Sequence, residues 1–128
     1  FDLNQVWLEV RVADATGRVL HHVGGLDDRA AIVGTPVRLG AVEIGLDGPL
    51  KKHRILELQA VRDKDVLGQK PRVDHLSIDL PDDVVGPLEV RARWLYRRVR
   101  PEFAEWALEV SSSPIPPHEV ASTWVTVP

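Results

Sequence analysis

Histidines, loop carboxylates, a short serine run and a cluster of arginines are the residues with which this chain could do chemistry. Its five histidines raise a metal reading, which their spacing argues against. His21 and His22 are adjacent on an expected strand and point to opposite faces, so they do not share one ion. His53, His75 and His118 stand alone, without the i, i+4 or cysteine-paired spacing of zinc sites. Asp27-Asp28, Asp63 with Asp65, and Asp82-Asp83 offer oxygen ligands of the kind calcium takes. None has the spaced Asp-x-Asp-x-Asp-Gly pattern, and paired acids in loops are ordinarily solvated turn formers. For nucleophilic catalysis there is no Gly-x-Ser-x-Gly. Ser111 to Ser113 lies in a proline-bounded linker that holds no oxyanion geometry. The chain is therefore expected not to be an enzyme, and no metal site is expected.

The arginines Arg91, Arg93, Arg97, Arg98 and Arg100 could hold an anion, and an arginine over Trp94 or Trp106 could stack on the ring. The favoured reading is a solvent-facing strand edge balanced by Glu89, Glu102 and Glu105, since such surface pairs are common and individually weak. Trp7 or Trp124, if exposed, would suit a sugar-binding platform, whereas burial is the commoner fate of an indole.

The element that must carry most of these groups is the stretch Leu88 to Leu108. Leu88, Val90, Ala92, Trp94 and Tyr96 alternate with Glu89, Arg91 and Arg93, the period of a strand with one face on a core. Leu95 breaks the alternation and suggests that the far end is covered on both sides. Pro101, suited to a first helical turn, then opens a segment with Phe103, Trp106, Ala107 and Val110 at helical spacing.

Upstream, Val6, Leu8, Val10 and Val12 make a half-buried strand, and Asp14-Ala15-Thr16-Gly17 turns it into a hairpin with Arg18 to His22. Val23 to Pro36 reads as a long glycine-rich loop, and Val37 to Leu46 as a third strand ending at Asp47-Gly48-Pro49. Lys51 to Arg54 is a basic cluster before Ile55 to Val61, where Ile55, Leu56 and Leu58 suit a strand or a helical turn, with the strand preferred, and a loop follows from Arg62 to Arg72. Val73 to Leu80 alternates as another strand, and Glu119 to Val127 closes the chain. The expectation is one all-β domain over residues 1–128, an antiparallel immunoglobulin-like β-sandwich of about seven strands with one short helix.

Composition narrows the function classes. A net charge of −3 argues against nucleic acid or an anionic membrane as the main partner. No apolar run is long enough to span a bilayer. There is no cysteine, hence no disulfide, no thiolate chemistry and no Cys-x-x-Cys-His haem attachment in this chain. With no methionine and a start at Phe1, the sequence reads as a processed protein or a piece of a larger one.

Several stretches, in this order, resemble the β-rich C-terminal region of bacterial multihaem c-type cytochromes. They are Asp2 to Val10, Asp14 to Leu20 and Gly24 to Asp27, then Gly86 to Val90, Ala92-Arg93 and Leu95 to Arg98, then Phe103 with Trp106, and Pro117 to Ser122. In that family the haems hang on Cys-x-x-Cys-His motifs upstream, and a Gly-His-x-Phe-Pro-Thr-Gly stretch commonly precedes the first strand. Neither is present here. The resemblance implies a fragment of an exported, periplasmic or extracellular electron-transfer protein. In it the domain is an accessory part that packs on or docks a haem-bearing domain of the same protein or another cytochrome subunit. It also implies no cofactor within this chain, haem c in the parent protein, and a role for His53 as a haem ligand to another domain. An independent extracellular immunoglobulin-like module, such as one for carbohydrate, is the alternative from the residues themselves.

Overall fold

The computed structural model describes residues 4–39, 41–45, 48–49, 58–63, 71, 73–109 and 116–128. The elements in chain order are β1 (Gln5–Ala13), β2 (Val19–Val23), β3 (Arg38–Leu39), β4 (Ala41–Gly45), β5 (Gly48–Pro49), β6 (Leu58–Asp63), β7 (Leu88–Arg97), α1 (Pro101–Leu108) and β8 (His118–Val127). Among the described residues the fold is all-β and antiparallel with one short helix, as the period-two patterns imply. A five-stranded sheet runs β2-β1-β7-β8, with β3 also paired to β1, and a three-stranded sheet runs β5-β4-β6.

The hairpin β1-β2 forms because Asp14 organises its own turn. Its Oδ1 accepts from the Thr16 hydroxyl and from the Thr16 and Arg18 amides. Gly17 takes φ 85°, a conformation that glycine adopts without steric cost because it lacks a Cβ. The helix starts at Pro101 behind an extended Arg100 and stops where Glu109 turns left-handed at φ 52°, a common way for a helix to end.

Several sequence expectations change. Gly48-Pro49, read as part of a turn, forms β5 on β4, and β6 runs to Asp63, past the expected strand end at Val61. Val37 to Leu46 is not one strand: β3 pairs with β1 in one sheet and β4 with β5 and β6 in the other, so the chain changes sheets between Leu39 and Ala41. Val73 to Leu80 alternates like a strand and belongs to none. Alternation sets which side chains share a face, but a strand exists only where a neighbour takes its backbone hydrogen bonds. This segment runs along the surface with Val73 and Leu76 exposed.

β7 lies between β1 and β8, and its register with β1 sorts the side chains. Val6, Leu8, Val10 and Val12 stand opposite Tyr96, Trp94, Ala92 and Val90 on an apolar face. Gln5, Trp7, Glu9 and Arg11 stand opposite Arg97, Leu95, Arg93 and Arg91 on the other. The second face holds the two most buried groups, Trp7, which is fully buried, and Arg97, which is 1% exposed, and Leu95 is also buried. Leu95 thus marks cover on the charged face, one of the two sides that its break in the alternation suggests are covered. The apolar face is half-buried at Trp94 and Tyr96.

Candidate functional site

The loop after β2 is what buries the charged face at one end. Gly24 has φ +81°, and a Cβ there would sit 2.8 Å from the Leu8 carbonyl oxygen. Only glycine, which has no Cβ, lets the chain pass this close to β1. Its carbonyl accepts from Trp7 Nε1 at 2.7 Å. The loop closes on itself through a Leu26 to Ile32 bridge and reciprocal bonds of Gly24 and Gly25 with Val33. Asp27 caps the tip by accepting from the Arg29 and Ala31 amides, which leaves Ala30 in a left-handed conformation and buried.

Ala30 then meets Arg97. The guanidinium donates to the Ala30 carbonyl through Nη1 and to Gln5 Oε1 through Nε and Nη2. Its Cζ lies 5.3 Å from the centre of the Trp7 ring, within the range at which a cation is attracted to an aromatic face. Burial lowers the affinity of this guanidinium for its proton, and the attraction of Glu102 acts against that. The expectation that the arginines form a solvent-facing strand edge holds for the exposure of Arg91 and Arg98 and is corrected for Arg97, which is buried, and for the strand, which is not an edge. β7 is an inner strand, and Arg97 is the cation that fills the space between β1, β7 and the loop.

Farther along the same face the charges pair more openly. Glu9, itself buried, takes Arg93 on one side and stands 2.8 Å from His22 Nε2 on the other. Arg93 and Arg91 both reach Glu119 on β8. The Glu119 carboxyl is held below its usual range, first by a hydrogen bond from Ser122 and then by these arginines. At the hairpin end, Arg18 bridges Asp14 and Asp83. Hydrogen bonding, chiefly from the Thr16 hydroxyl, lowers the Asp14 pKa, and Arg18 lowers that of Asp83.

The structure separates most of the candidate ligands. His21 and His22 fall on opposite faces, opposite Val12 and Arg11. His21 Nε2 is buried with no hydrogen-bond partner among the described residues, and His75 and His118 are exposed at different places. Among the described residues no group of three His, Asp or Glu is poised to hold a metal. Asp27 and Asp83 are occupied as a loop cap and an arginine partner. His53, Asp65 and Ser111 to Ser113 lie outside the described residues, as does the side chain of Asp63. Trp7 is sealed in the core, so of the two proposed platform tryptophans only Trp124, 71% exposed, meets solvent.

The last strand expected over Glu119 to Val127 is β8, and what the sequence reading did not mark is its place at the edge of the sheet. β8 is exposed at all ten positions and pairs with β7 alone among the described residues. The signal was present in the stretch Val120 to Val127, which carries no charge on either face.

No family model matches the chain, and no curated protein matches it. Among solved structures, a penta-haem cytochrome c552 from Thermochromatium tepidum has a similar fold, with a TM-score of 0.58 at 16% identity. The likeness covers 98% of this chain but 31% of that one, so this chain spans less than a third of the cytochrome's length. At that identity the likeness is one of fold. The residues here do not fit a resident c-type haem: with no cysteine, the chain has no thiol to attach one.

Proposed function

We propose that this chain is a non-catalytic accessory domain of a multihaem c-type cytochrome, folded as an immunoglobulin-like sandwich, that packs against or docks a haem-bearing domain. The observation that carries the reading is the fold likeness over nearly the whole chain to part of a penta-haem cytochrome. It agrees with the resemblance of the stretches from Asp2 to Val10 and Gly86 to Arg98. Such a domain would not carry electrons itself, because its side chains hold no redox group at useful potential. It would contribute a rigid body and a surface, in an exported location. His53 is the residue on which contact with a haem iron would rest.

The coding sequence flanking this chain tests the proposal. Cys-x-x-Cys-His motifs in the same reading frame or in an adjacent subunit gene are expected. Flanking sequence without any would contradict it.

One observation favours a second reading, an independent extracellular carbohydrate-binding module. Trp124 is exposed beside Arg91 and Ser122, an aromatic face with polar neighbours of the kind sugars stack on. A tryptophan-fluorescence titration with soluble polysaccharides separates the two. A saturable response that Trp124→Ala abolishes would favour the module, and no response would favour the cytochrome reading.

A further inference from the structure

The two ends of the strand order β2-β1-β7-β8 are built differently. β2 is five residues long, carries His21 and His22, follows the ion-paired Arg18, and meets a register shift at Val12/Ala13. Short length, polar side chains and bulges are how sheets keep an edge from pairing with another chain. β8 is ten residues long, and its one irregularity lies near its start, opposite Trp94/Leu95. From Val120 to Val127 it bears no charge, and Val120, Trp124, Val125 and Val127 are all exposed. In an antiparallel ladder alternate residues turn their N–H and C=O away from the neighbour. Along β8 those groups are paired to no strand among the described residues.

We infer that β8 is an association surface for a second copy of this chain, the two β8 strands pairing antiparallel about a two-fold axis to join their sheets edge to edge. Charge selects this occupant. Antiparallel pairing about a two-fold sets a strand against itself, and a stretch without charges meets itself with no like-charge pair. Glu119 bounds that stretch. When Val120 to Val127 pairs with its copy, the two Glu119 carboxylates stand at opposite ends, each already held by Arg91 and Arg93 of its own chain. Pairing would withdraw the exposed apolar side chains of both copies from water together. The inference stands apart from the cytochrome reading, since it rests on the edge and not on the fold likeness.

Sedimentation equilibrium of the 128-residue chain, from low micromolar to near millimolar concentration, tests it. Monomer giving way to dimer is expected. Thr123→Lys and Val125→Lys should each hold the chain at monomer mass with an unchanged circular dichroism spectrum. Val19→Lys, on the outer strand β2, should leave the dimer intact. If a lysine variant fails to fold, hydrogen exchange of the unmodified chain decides: β8 amides should gain protection with concentration while those of β2 do not. A monomer at every concentration, a dimer that survives both β8 variants, or protection gained elsewhere than β8 would overturn the inference.

Discussion

Trp7 with Arg97, and Trp124 with Arg91, are neighbouring Trp and Arg pairs on the same face of one sheet, and they meet opposite environments. The first pair is sealed, with Trp7 fully buried and Arg97 1% exposed. The second is open, with Trp124 71% exposed and standing directly opposite Arg91. The residue types are the same, so the difference lies in what surrounds them. Trp7 and Arg97 sit on inner strands beneath the loop that runs from Gly24 to Gly34, and that loop supplies a carbonyl to each. Trp124 sits on an edge strand exposed at every position. Burial of a tryptophan or an arginine is thus decided by strand order and by the loop that returns over the sheet.

The largest expected effects bear on this contrast directly. Trp7→Ala should destabilise the fold by about 3–5 kcal/mol, the usual cost of emptying a large buried aromatic site. Trp124→Ala, measured in the monomer by the same chemical denaturation, should change stability by less than about 0.5 kcal/mol, as exposed positions do. Equal losses would mean that the outer strand is covered after all.

Next is Arg97→Ala, which leaves the Ala30 carbonyl and Gln5 Oε1 without their buried donor. Stranding buried acceptors in this way is expected to cost about 3 kcal/mol. Arg97→Met, which keeps the volume but not the hydrogen bonds, should recover part of that loss. If it recovers none, the hydrogen bonds outweigh the packing. Glu9→Gln weakens a charge-assisted contact with Arg93 and keeps a polar acceptor in place. Its cost in the same denaturation assay should be smaller than that of Arg97→Ala, on the order of 1 kcal/mol.

How much of this was legible beforehand follows from the same physics. The turn at Asp14 to Gly17, the strands β1 and β7 and the helix opening at Pro101 are local signals, and they read correctly. Which face of β1 and β7 is sealed did not, because Trp7, Glu9, Leu95 and Arg97 on the face expected to meet water are buried while Trp94 and Tyr96 are half-buried. Arg97 read as surface because a positive charge after a run of arginines usually is. Its burial depends on β7 lying inside the sheet and on Ala30 arriving from a distant loop, neither of which local spacing encodes. Val73 to Leu80 failed as a strand for a related reason, since periodicity does not supply a partner. Of the candidate ligands, the opposite facing of His21 and His22 followed from strand parity alone.

The smallest expected effect at neutral pH sharpens the hairpin end. Hydrogen bonds hold the folded Asp14 carboxyl below its ordinary range. Its ionised form therefore adds stability above the unfolded value of about 4, and that contribution is lost as pH falls through the lowered folded value. Asp14→Asn should be less stable than the unmodified chain at pH 7, with the gap closing in acid. A gap that does not change with pH would contradict the assignment.

The central structural claim is one sealed end and one open edge in a single sheet. Residue-resolved hydrogen exchange on the dilute chain measures it most directly. The amides of β1 and β7 should be strongly protected, while alternate amides of β8 exchange at nearly the rate of an unstructured peptide. Uniformly slow exchange along β8 in the dilute monomer would contradict the account.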